Sequence, residues 1–297
     1  MTKSRVCIKN MPYRKSNVAY KVLSVVLLGS TCMLAGCLFK EKNTLSSSAY
    51  VLKIDPPDVL YNQAVASLNS GRLGEASKKF FTLEKQYAYT DWGRKSLVMG
   101  AFTNYKLAKY DEAISMAQRY ITLYPGENDV AYAYYIIGLS SFHRIPDVTR
   151  DQRDTKRAIA AMQFLVKHYP NSEYVKDAKA KIRFAREQLA GKEIQIGRYY
   201  EEGRRYLAAS RRFRTVVEEY SDTNQIEEAL FRLTEVNLAL GLIQEAQTAA
   251  AILGLNYPKS EWYKFSYNLL KKSNILPQEH KSSWISHALS GDKNNVR

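Results

Sequence analysis

Five stretches of the chain repeat one spacing of apolar residues. Each copy opens on an alanine, has apolar side chains four and seven positions later, and has a tyrosine eleven positions later. The alanines are Ala76, Ala113, Ala158, Ala209 and Ala246. The tyrosines are Tyr87, Tyr124, Tyr169, Tyr220 and Tyr257. Because these positions share one face of an α-helix, each copy predicts an amphipathic helix that needs a neighbour to cover its apolar face.

A second small residue precedes most of these alanines and predicts a partner helix. Ala64, Ala101 and Gly197 each stand twelve positions before an alanine, and Thr234 has that place in the fifth copy. A small side chain there lets two helices approach closely. Ile196-Gly197 followed by Tyr200 matches part of the tetratricopeptide consensus. The predicted fold is all-α, an α-α superhelix of five tetratricopeptide-type repeats.

The copies differ at their ends and in their turns. In the third copy Gly138 precedes Ala158 by 20 residues, so eight extra residues fall in the polar stretch 143–154. Such insertions map to loops, often on the binding face. After the tyrosine, Pro125, Pro170 and Pro258 are expected to stop the helix, whereas Ala88 and Ser221 replace proline in the other copies.

The fourth copy begins late, and residues 173–205 predict an unusually long helix. We therefore expect two lobes, with repeats one to three in residues 56–175 and repeats four and five in residues 176–274. Residues 275–297 form a tail with two interpretations: it is disordered, or it forms a short helix around Trp284 and Leu289.

The N-terminal segment has the pattern of a bacterial secretion signal. Residues 1–36 contain six Lys or Arg and no acidic residue, and residues 22–33 are apolar. That stretch is shorter than the roughly 20 apolar residues that a membrane-spanning helix needs. We expect residues 1–36 to be a signal peptide that is removed, with translation starting at Met1 or Met11.

Residues 34–37 read Leu-Ala-Gly-Cys, which resembles the lipobox of bacterial lipoproteins. The resemblance implies cleavage before Cys37, a diacylglyceryl group on its thiol and an acyl chain such as palmitate on its new amino group. Leu38 replaces the Asp that would retain a lipoprotein in the inner membrane, which points to the outer membrane. The alternative is an ordinary secretory signal with a chance cysteine.

Residues 37–55 are expected to be a lipidated tether. They are polar and Ser-rich, without a helical period, and Pro56-Pro57 follows. Fully extended, the tether reaches at most about 60 Å, and as a flexible coil it averages about 25 Å. The folded part is therefore expected to stay close to the membrane.

Cysteine content and charge fit a secreted, anchored protein. Cys7 and Cys32 leave with the signal peptide, so the mature chain has Cys37 alone and no intrachain disulfide. Removal of residues 1–36 leaves 261 of 297 residues and lowers the net charge from +15 to +9. This moderately basic balance suits anionic membranes and acidic proteins better than nucleic acid.

Motifs for catalysis are absent from the mature sequence. It has no free cysteine nucleophile, Gly-rich phosphate loop, Gly-x-Ser-x-Gly elbow or His-Glu-x-x-His motif. Its histidines lack metal-ligand spacing, and adjacent carboxylates such as Glu201-Glu202 and Glu218-Glu219 are expected on solvated helix faces. We therefore expect neither catalysis nor a metal or cofactor, apart from the covalent lipid on Cys37.

Protein binding is the expected function of such an array, because stacked helical pairs expose a concave surface. Tyr132, Tyr134 and Tyr135 cannot all face one way, so at least one is expected outside the core, where it suits an aromatic-rich peptide. The fourth repeat clusters Arg204, Arg205, Arg211, Arg212 and Arg214. Most are expected on a solvated face, and one as an anchor for an acidic partner.

Longer stretches resemble the BamD (ComL) family, the repeat lipoproteins of the outer-membrane β-barrel assembly machinery. The resemblance covers about residues 34–265, nearly all of the mature chain. It rests on the lipobox, Pro56-Pro57, and the segments 130–135 with Gly138-Leu139, 150–152, 169–174, 189–193 and 196–200.

This resemblance implies a five-repeat scaffold on the periplasmic side of the outer membrane. In the family, N-terminal repeats engage unfolded outer-membrane proteins through their C-terminal signal, and C-terminal repeats dock on the last POTRA domain of the barrel subunit BamA. The family uses an arginine in the second helix of repeat four, and Arg212 stands at the matching place. Arg211 precedes it here and is expected to share the role.

Two other functions remain open on the residues alone. One is a periplasmic repeat lipoprotein that serves as an adaptor for pilus assembly or peptidoglycan enzymes. The other is a cell-wall hydrolase, which requires carboxylates that converge in a cleft.

Overall fold

Helices account for most of residues 55–290, the part of the chain that this computed structural model describes, and no strand occurs among those residues. The helices are α1 (Pro57–Asn69), α2 (Leu73–Gln86), α3 (Asp91–Lys106), α4 (Tyr110–Leu123), α5 (Val130–Phe142), α6 (Arg153–His168), α7 (Val175–Glu202), α8 (Tyr206–Glu219), α9 (Gln225–Ala239), α10 (Ile243–Asn256), α11 (Glu261–Lys272) and α12 (Trp284–Leu289). Consecutive helices up to α11 pack on one another, as in an array of helical pairs.

The apolar repeat of the sequence forms the core. The five alanines and the ten apolar residues four and seven positions after them are all 0% exposed. These residues lie on α2, α4, α6, α8 and α10, the second helices of the five pairs. The predicted all-α fold and the register of its five repeats are therefore confirmed.

Each second helix ends just before the repeated tyrosine. The tyrosine amide donates to the carbonyl four residues earlier at 2.9 Å in all five copies, and the ring is half-buried. Helices α2 and α8 end there although Ala88 and Ser221 follow the tyrosine. Proline is therefore not required to stop the helix, which corrects the role that the sequence assigned to it.

Small residues on the first helices allow the close approach that the spacing predicted. A Cβ on Gly197 would overlap the Phe213 ring, and a Cβ on Gly138 would overlap the Met162 side chain. Both glycines face the second helix of their own repeat. Ala64, Ala101 and Thr234 are fully buried at the corresponding positions.

The turn within a repeat has a recurrent left-handed residue. Gly71, Ala108, Arg204 and Gly241 have φ between 54° and 75°, each five positions before the alanine of its repeat. Asn274, after α11, has φ 59°, and the Ile275 amide donates to the Leu270 carbonyl at 3.0 Å, as the corresponding amides do in the repeats. Helix α11 therefore ends as the first helix of a sixth repeat, which the sequence analysis did not recognise.

Helix α7 confirms the long helix expected over residues 173–205, although it is a little shorter at both ends. It packs against α5, α6, α8 and α9, so the helix packing continues through it. Gly191 and Gly197 lie within it without a break. The division into residues 56–175 and 176–274 stays a prediction.

Residues 275–290, the C-terminal strap, replace the second helix of the sixth repeat. The strap turns back over α10 and α8, where Ile285 is fully buried. Trp284 lies over the Arg214 guanidinium at 4.5 Å, and the Ser283 hydroxyl donates to Glu245 at 2.5 Å. Of the two interpretations of the tail, the structure therefore shows the short helix within residues 275–290; residues 291–297 lie outside the described residues.

Several sequence predictions concern the chain before residue 55. The signal peptide, the lipobox with Cys37 and residues 37–54 of the tether lie outside the described residues. Within residues 55–290, no helix combines the length and the apolar character needed to cross a bilayer.

Candidate partner-binding surface

Arg212 and Arg211 lie on α8 and differ in their surroundings. The Arg212 side chain is 42% exposed, and its Nη1 donates to Glu193 Oε2 of α7 at 3.0 Å. Arg211 is exposed and forms no ion pair with any described residue. The ion pair fixes the Arg212 guanidinium while leaving part of it open to a partner. Arg211 is free to reorient.

Two clefts meet at Arg212. The first, here called the repeat-four cleft, has a volume of about 730 Å³ and is lined by Arg204, Arg205 and Arg211 together with Tyr200 and Leu207. The second, the loop cleft, has a volume of about 480 Å³. Its walls come from α7, α8 and the loop 143–152 between α5 and α6. Arg212 and Thr215 line both clefts, which therefore form one surface.

The loop 143–152 is the insertion of the third repeat, and it is fixed to α7. The Lys192 ammonium donates to the Thr149 carbonyl at 2.8 Å, and Val148 packs beside Gly191. Inside the loop, buried Gln152 donates from Nε2 to the Asp147 carbonyl at 2.9 Å. These contacts hold the loop as a rigid wall beside Arg212.

The combined surface is basic. Seven cations line the two clefts: Arg150, Lys156, Lys192, Arg204, Arg205, Arg211 and Arg212. The carboxylates that line them are Asp151, Glu193 and Glu219. Such an excess attracts acidic partners and steers their approach. Arg214 has a different role, because it stacks on Trp284 and pairs with Glu218 at 2.7 Å.

An aromatic cleft lies near the start of α5 and α7. Its volume is about 520 Å³, and its lining includes Tyr132, Tyr174 and residues 168–173. Tyr135 stacks on Tyr174 and donates its hydroxyl to Asp177 at 2.6 Å. Burial raises the pKa of Tyr174 to about 12, and it also raises that of Tyr132 and Tyr135. These hydroxyls therefore remain protonated hydrogen-bond donors at neutral pH.

The three tyrosines of α5 are each half-buried and point to two sides of the helix. Tyr134 stacks on Phe164 of α6, whereas Tyr132 and Tyr135 lie against Tyr174 before α7. None of the three is fully buried. Tyr132 is therefore available to line the aromatic cleft.

Glu201 contradicts the expectation that Glu201-Glu202 occupy a solvated face. Its side chain is only 15% exposed, and it accepts from Arg232 at 3.3 Å. The same arginine pairs with Glu235 at 2.9 Å and Glu228 at 3.3 Å. Burial, aided by the Glu235 charge, raises the pKa of Glu201 to about 7. Glu202 is exposed as expected, and so are Glu218 and Glu219.

The sequence that forms these surfaces matches a known protein family. A family model described as "YfiO: Outer membrane lipoprotein" matches residues 54–252. This match covers more than half of the chain. The chain belongs to this family. The resemblance to BamD that the sequence motifs suggested is thereby confirmed.

Curated YfiO relatives are similar over most of their length. The outer membrane protein assembly factor BamD of Caulobacter vibrioides is 39% identical over 255 residues, which are 86% of this chain and 82% of that protein. The protein of the same name from Rickettsia prowazekii is 33% identical over 252 residues, or 84% of this chain and 97% of that one. Among solved structures, a tetratricopeptide-repeat protein of Thermus thermophilus is 16% identical, with a TM-score of 0.33, over 72% of this chain and 100% of that one.

The sequence predicts Arg212 and Arg211 as partner-binding residues, but it does not predict the wall beside them. The third-repeat insertion has the pattern of a loop on a binding face, and nothing in that pattern connects it to the arginines of repeat four. The segments 150–152 and 189–193, quoted for the family resemblance, meet at this wall. Nothing in their separate patterns shows that they meet, because the contact depends on how α7 packs beside the loop.

Proposed function

We propose that this protein is a lipid-anchored scaffold subunit of the machinery that assembles outer-membrane β-barrel proteins. In this proposal it binds the barrel subunit, BamA, through a POTRA domain and binds unfolded outer-membrane proteins as clients. It carries out no catalysis and needs no metal or cofactor beyond the lipid on Cys37. Its place is the periplasmic face of the outer membrane.

The basic surface at Arg212 is the observation that carries the docking proposal. A guanidinium that is half-exposed and already oriented by Glu193 loses little freedom when a partner carboxylate binds beside it. Arg211 adds an unpaired charge one position away, and the fixed loop 143–152 gives the surface a defined shape. An acidic face of the barrel subunit's POTRA domain is the proposed ligand.

The aromatic cleft supports the client-binding part of the proposal. Tyr132 and Tyr174 offer ring faces and protonated hydroxyls next to the backbone of residues 168–173. Aromatic side chains and backbone groups together suit an extended segment that ends in an aromatic residue. This cleft lies in repeats three and four, close to the middle of the array.

A pull-down in mild detergent tests the docking proposal. The tagged, lipidated protein is expected to recover a POTRA-bearing barrel protein, and Arg212→Ala is expected to lower its recovery about tenfold, because truncating one side of a charge pair weakens binding strongly. Arg157→Ala is the matched control, since Arg157 is 43% exposed and pairs with Asp154 on its own helix. Thermal melts of both variants verify folding.

The outcome also separates the alternatives. Full recovery of the barrel protein by an Arg211→Ala, Arg212→Ala double variant would show that docking uses another surface. Recovery of pilus-assembly or peptidoglycan enzymes without the barrel protein would replace the proposal with the adaptor function.

A further inference from the structure

The turns within repeats four, five and six lie next to one another along one edge of the array. These turns are residues 203–207, 240–243 and 274–276, here called the C-terminal turn edge. The repeat-four cleft is lined by both Leu207 and Leu240, so the first two turns adjoin. The third is tied to α10, because Gln247 Nε2 donates to the Leu276 carbonyl at 2.8 Å.

Large aliphatic side chains protrude from this edge. Five of them are between 37% and 62% exposed: Leu207, Leu240, Leu242, Ile243 and Leu276. The leucines in the turns of repeats one and two, Leu73 and Leu107, are half-buried, whereas Leu276, the counterpart of Leu73, is 62% exposed. Scattered exposed leucines need no explanation, but five on neighbouring turns form a patch.

Cations accompany the aliphatic side chains. Arg204 and Arg205 in the first turn are exposed, as are Lys271 and Lys272 at the end of α11. None of these four forms an ion pair with a described residue. The three turns themselves contain no acidic residue. Along the sequence, Glu202 precedes the first turn and is exposed, and Glu245 follows the second and accepts from Ser283.

We propose that the C-terminal turn edge lies on a phospholipid membrane surface that contains anionic headgroups. Exposed leucines and isoleucine would enter the boundary between headgroups and acyl chains, while the arginines and lysines bind lipid phosphates. This contact adjoins the docking surface at Arg212, because Arg204, Arg205, Leu207 and Leu240 also line the repeat-four cleft. The other residues of the edge, Leu242, Ile243, Leu276, Lys271 and Lys272, line neither of the two clefts at Arg212. The membrane contact makes a second attachment besides the lipid on Cys37, and it orients the array on the membrane.

The shape of the edge favours a membrane over a protein as the ligand. Leu242, Ile243 and Leu276 stand on the turns outside both clefts at Arg212, and no aromatic side chain of the three turns is exposed. Anchor residues in protein interfaces are mostly Trp, Tyr and Arg that fill pockets. The expected tether also keeps the folded part within about 60 Å of the bilayer, so the edge can reach it.

Sedimentation with lipid vesicles tests this inference without the lipid anchor or any partner protein. The mature chain 37–297 with Cys37→Ser is mixed with vesicles of phosphatidylglycerol and phosphatidylcholine, or of phosphatidylcholine alone. Binding is expected to the anionic vesicles and to weaken with salt. The double change Lys271→Gln, Lys272→Gln is expected to lower the affinity about tenfold, and Leu242→Glu, Leu276→Glu to abolish binding.

Equivalent substitutions in the first two repeats provide the control. Leu73→Glu and Leu107→Glu place the same charges on turns outside the edge and are expected to leave vesicle binding unchanged in protein that remains folded. Absence of vesicle binding by the unchanged chain would overturn the inference. So would normal vesicle binding by Leu242→Glu, Leu276→Glu, or loss of the barrel protein with that variant in the detergent pull-down, which would make the edge a protein interface.

Discussion

Glu201 differs from the other acidic residues of α7, because its carboxyl group lies beside that of Glu235. Glu201 and Glu235 share one arginine, Arg232, which also serves Glu228. Burial raises the pKa of both Glu201 and Glu235, and for Glu201 it reaches about 7. Glu228 also pairs with Arg198, so two positive charges serve three carboxylates in a half-buried site, and the site retains a proton near neutral pH.

This proton makes stability depend on pH. The pKa of Glu201 is raised from 4.5 to about 7 in the folded chain. Below pH 4.5 both states hold the proton, and the site carries no penalty. Between pH 4.5 and 7 the unfolded chain releases the proton first, so the free energy of unfolding falls as pH rises.

Glu201→Gln is expected to remove this dependence. The variant should be more stable than the unchanged protein above pH 7, by about 1 kcal/mol after allowance for partial solvent screening. Urea unfolding at pH 5 and pH 8 measures the difference. Glu202→Gln is the control, because Glu202 is exposed and should leave the profile as it was. Identical pH profiles for Glu201→Gln and the unchanged protein would contradict the assignment.

The sequence did not predict the burial of Glu201 for a physical reason. The helical period of the apolar residues shows which side chains share one face of a helix. It does not show which other helix packs over that face. Glu201 is covered because Arg232 on α9 reaches back to α7. Adjacent carboxylates are usually solvated, and Glu202 and Glu218-Glu219 follow that rule.

At the scale of the element, the two glycines of α7 illustrate two different roles for one residue type. Gly197 lies against the Phe213 ring, where a Cβ has no room, whereas a Cβ on Gly191 would make an ordinary contact with Val148 at 3.5 Å. Both are helical, so alanine would lower the backbone entropy cost at either position. Only at Gly197 does packing oppose that gain.

Gly197→Ala is therefore expected to destabilise the protein by about 1–3 kcal/mol, because Phe213 must move within a close-packed core. Gly191→Ala is expected to stabilise it by about 0.5–1 kcal/mol, because alanine favours the helix. Thermal or urea unfolding of the two variants provides the comparison. A loss of stability in both would mean that the loop 143–152 packs on Gly191 more tightly than the contact with Val148 implies.

Elements defined by the repeat pattern were predictable, whereas the packing of the elements outside it was not. The spacing of alanines and tyrosines placed the second helices, because burial imposes the period. The docking of the loop 143–152 and of the strap depends on single contacts such as Lys192 with Thr149 and Arg214 with Trp284. The sixth half-repeat did have a sequence indication, since Asn274 is a residue type that tolerates the left-handed turn.

At the scale of the molecule, contacts are local along the array. Helices up to α11 contact their sequence neighbours and the next helix but one, and the strap alone returns farther, to α8. Stability in such an array is approximately a sum of repeat terms and neighbour terms. A destabilising substitution in one repeat should therefore lower the local stability mainly of that repeat and of its neighbours.

Leu253→Ala in repeat five and Leu83→Ala in repeat one test this locality as a matched pair, because both leucines are 0% exposed at the same position of their repeats. Each is expected to cost about 2–5 kcal/mol. Hydrogen exchange is expected to rise in α8–α11 for the first variant and in α1–α4 for the second. A uniform rise along the whole chain would instead mean that the array unfolds as one cooperative unit.

The left-handed turn at Asn274 also determines how the array ends. An array of similar repeats has no inherent last repeat, because the exposed side of each repeat can pack against a further one. Here the chain begins a sixth unit, and residues 275–290 reverse over α10 and α8 instead of forming the second helix of that unit. Lys264, Lys271 and Lys272 are exposed on α11, the terminal first helix. Lys264 pairs with Glu261, so Lys271 and Lys272 give this end its positive charge. Two C-terminal ends are therefore expected to repel each other and not to pair.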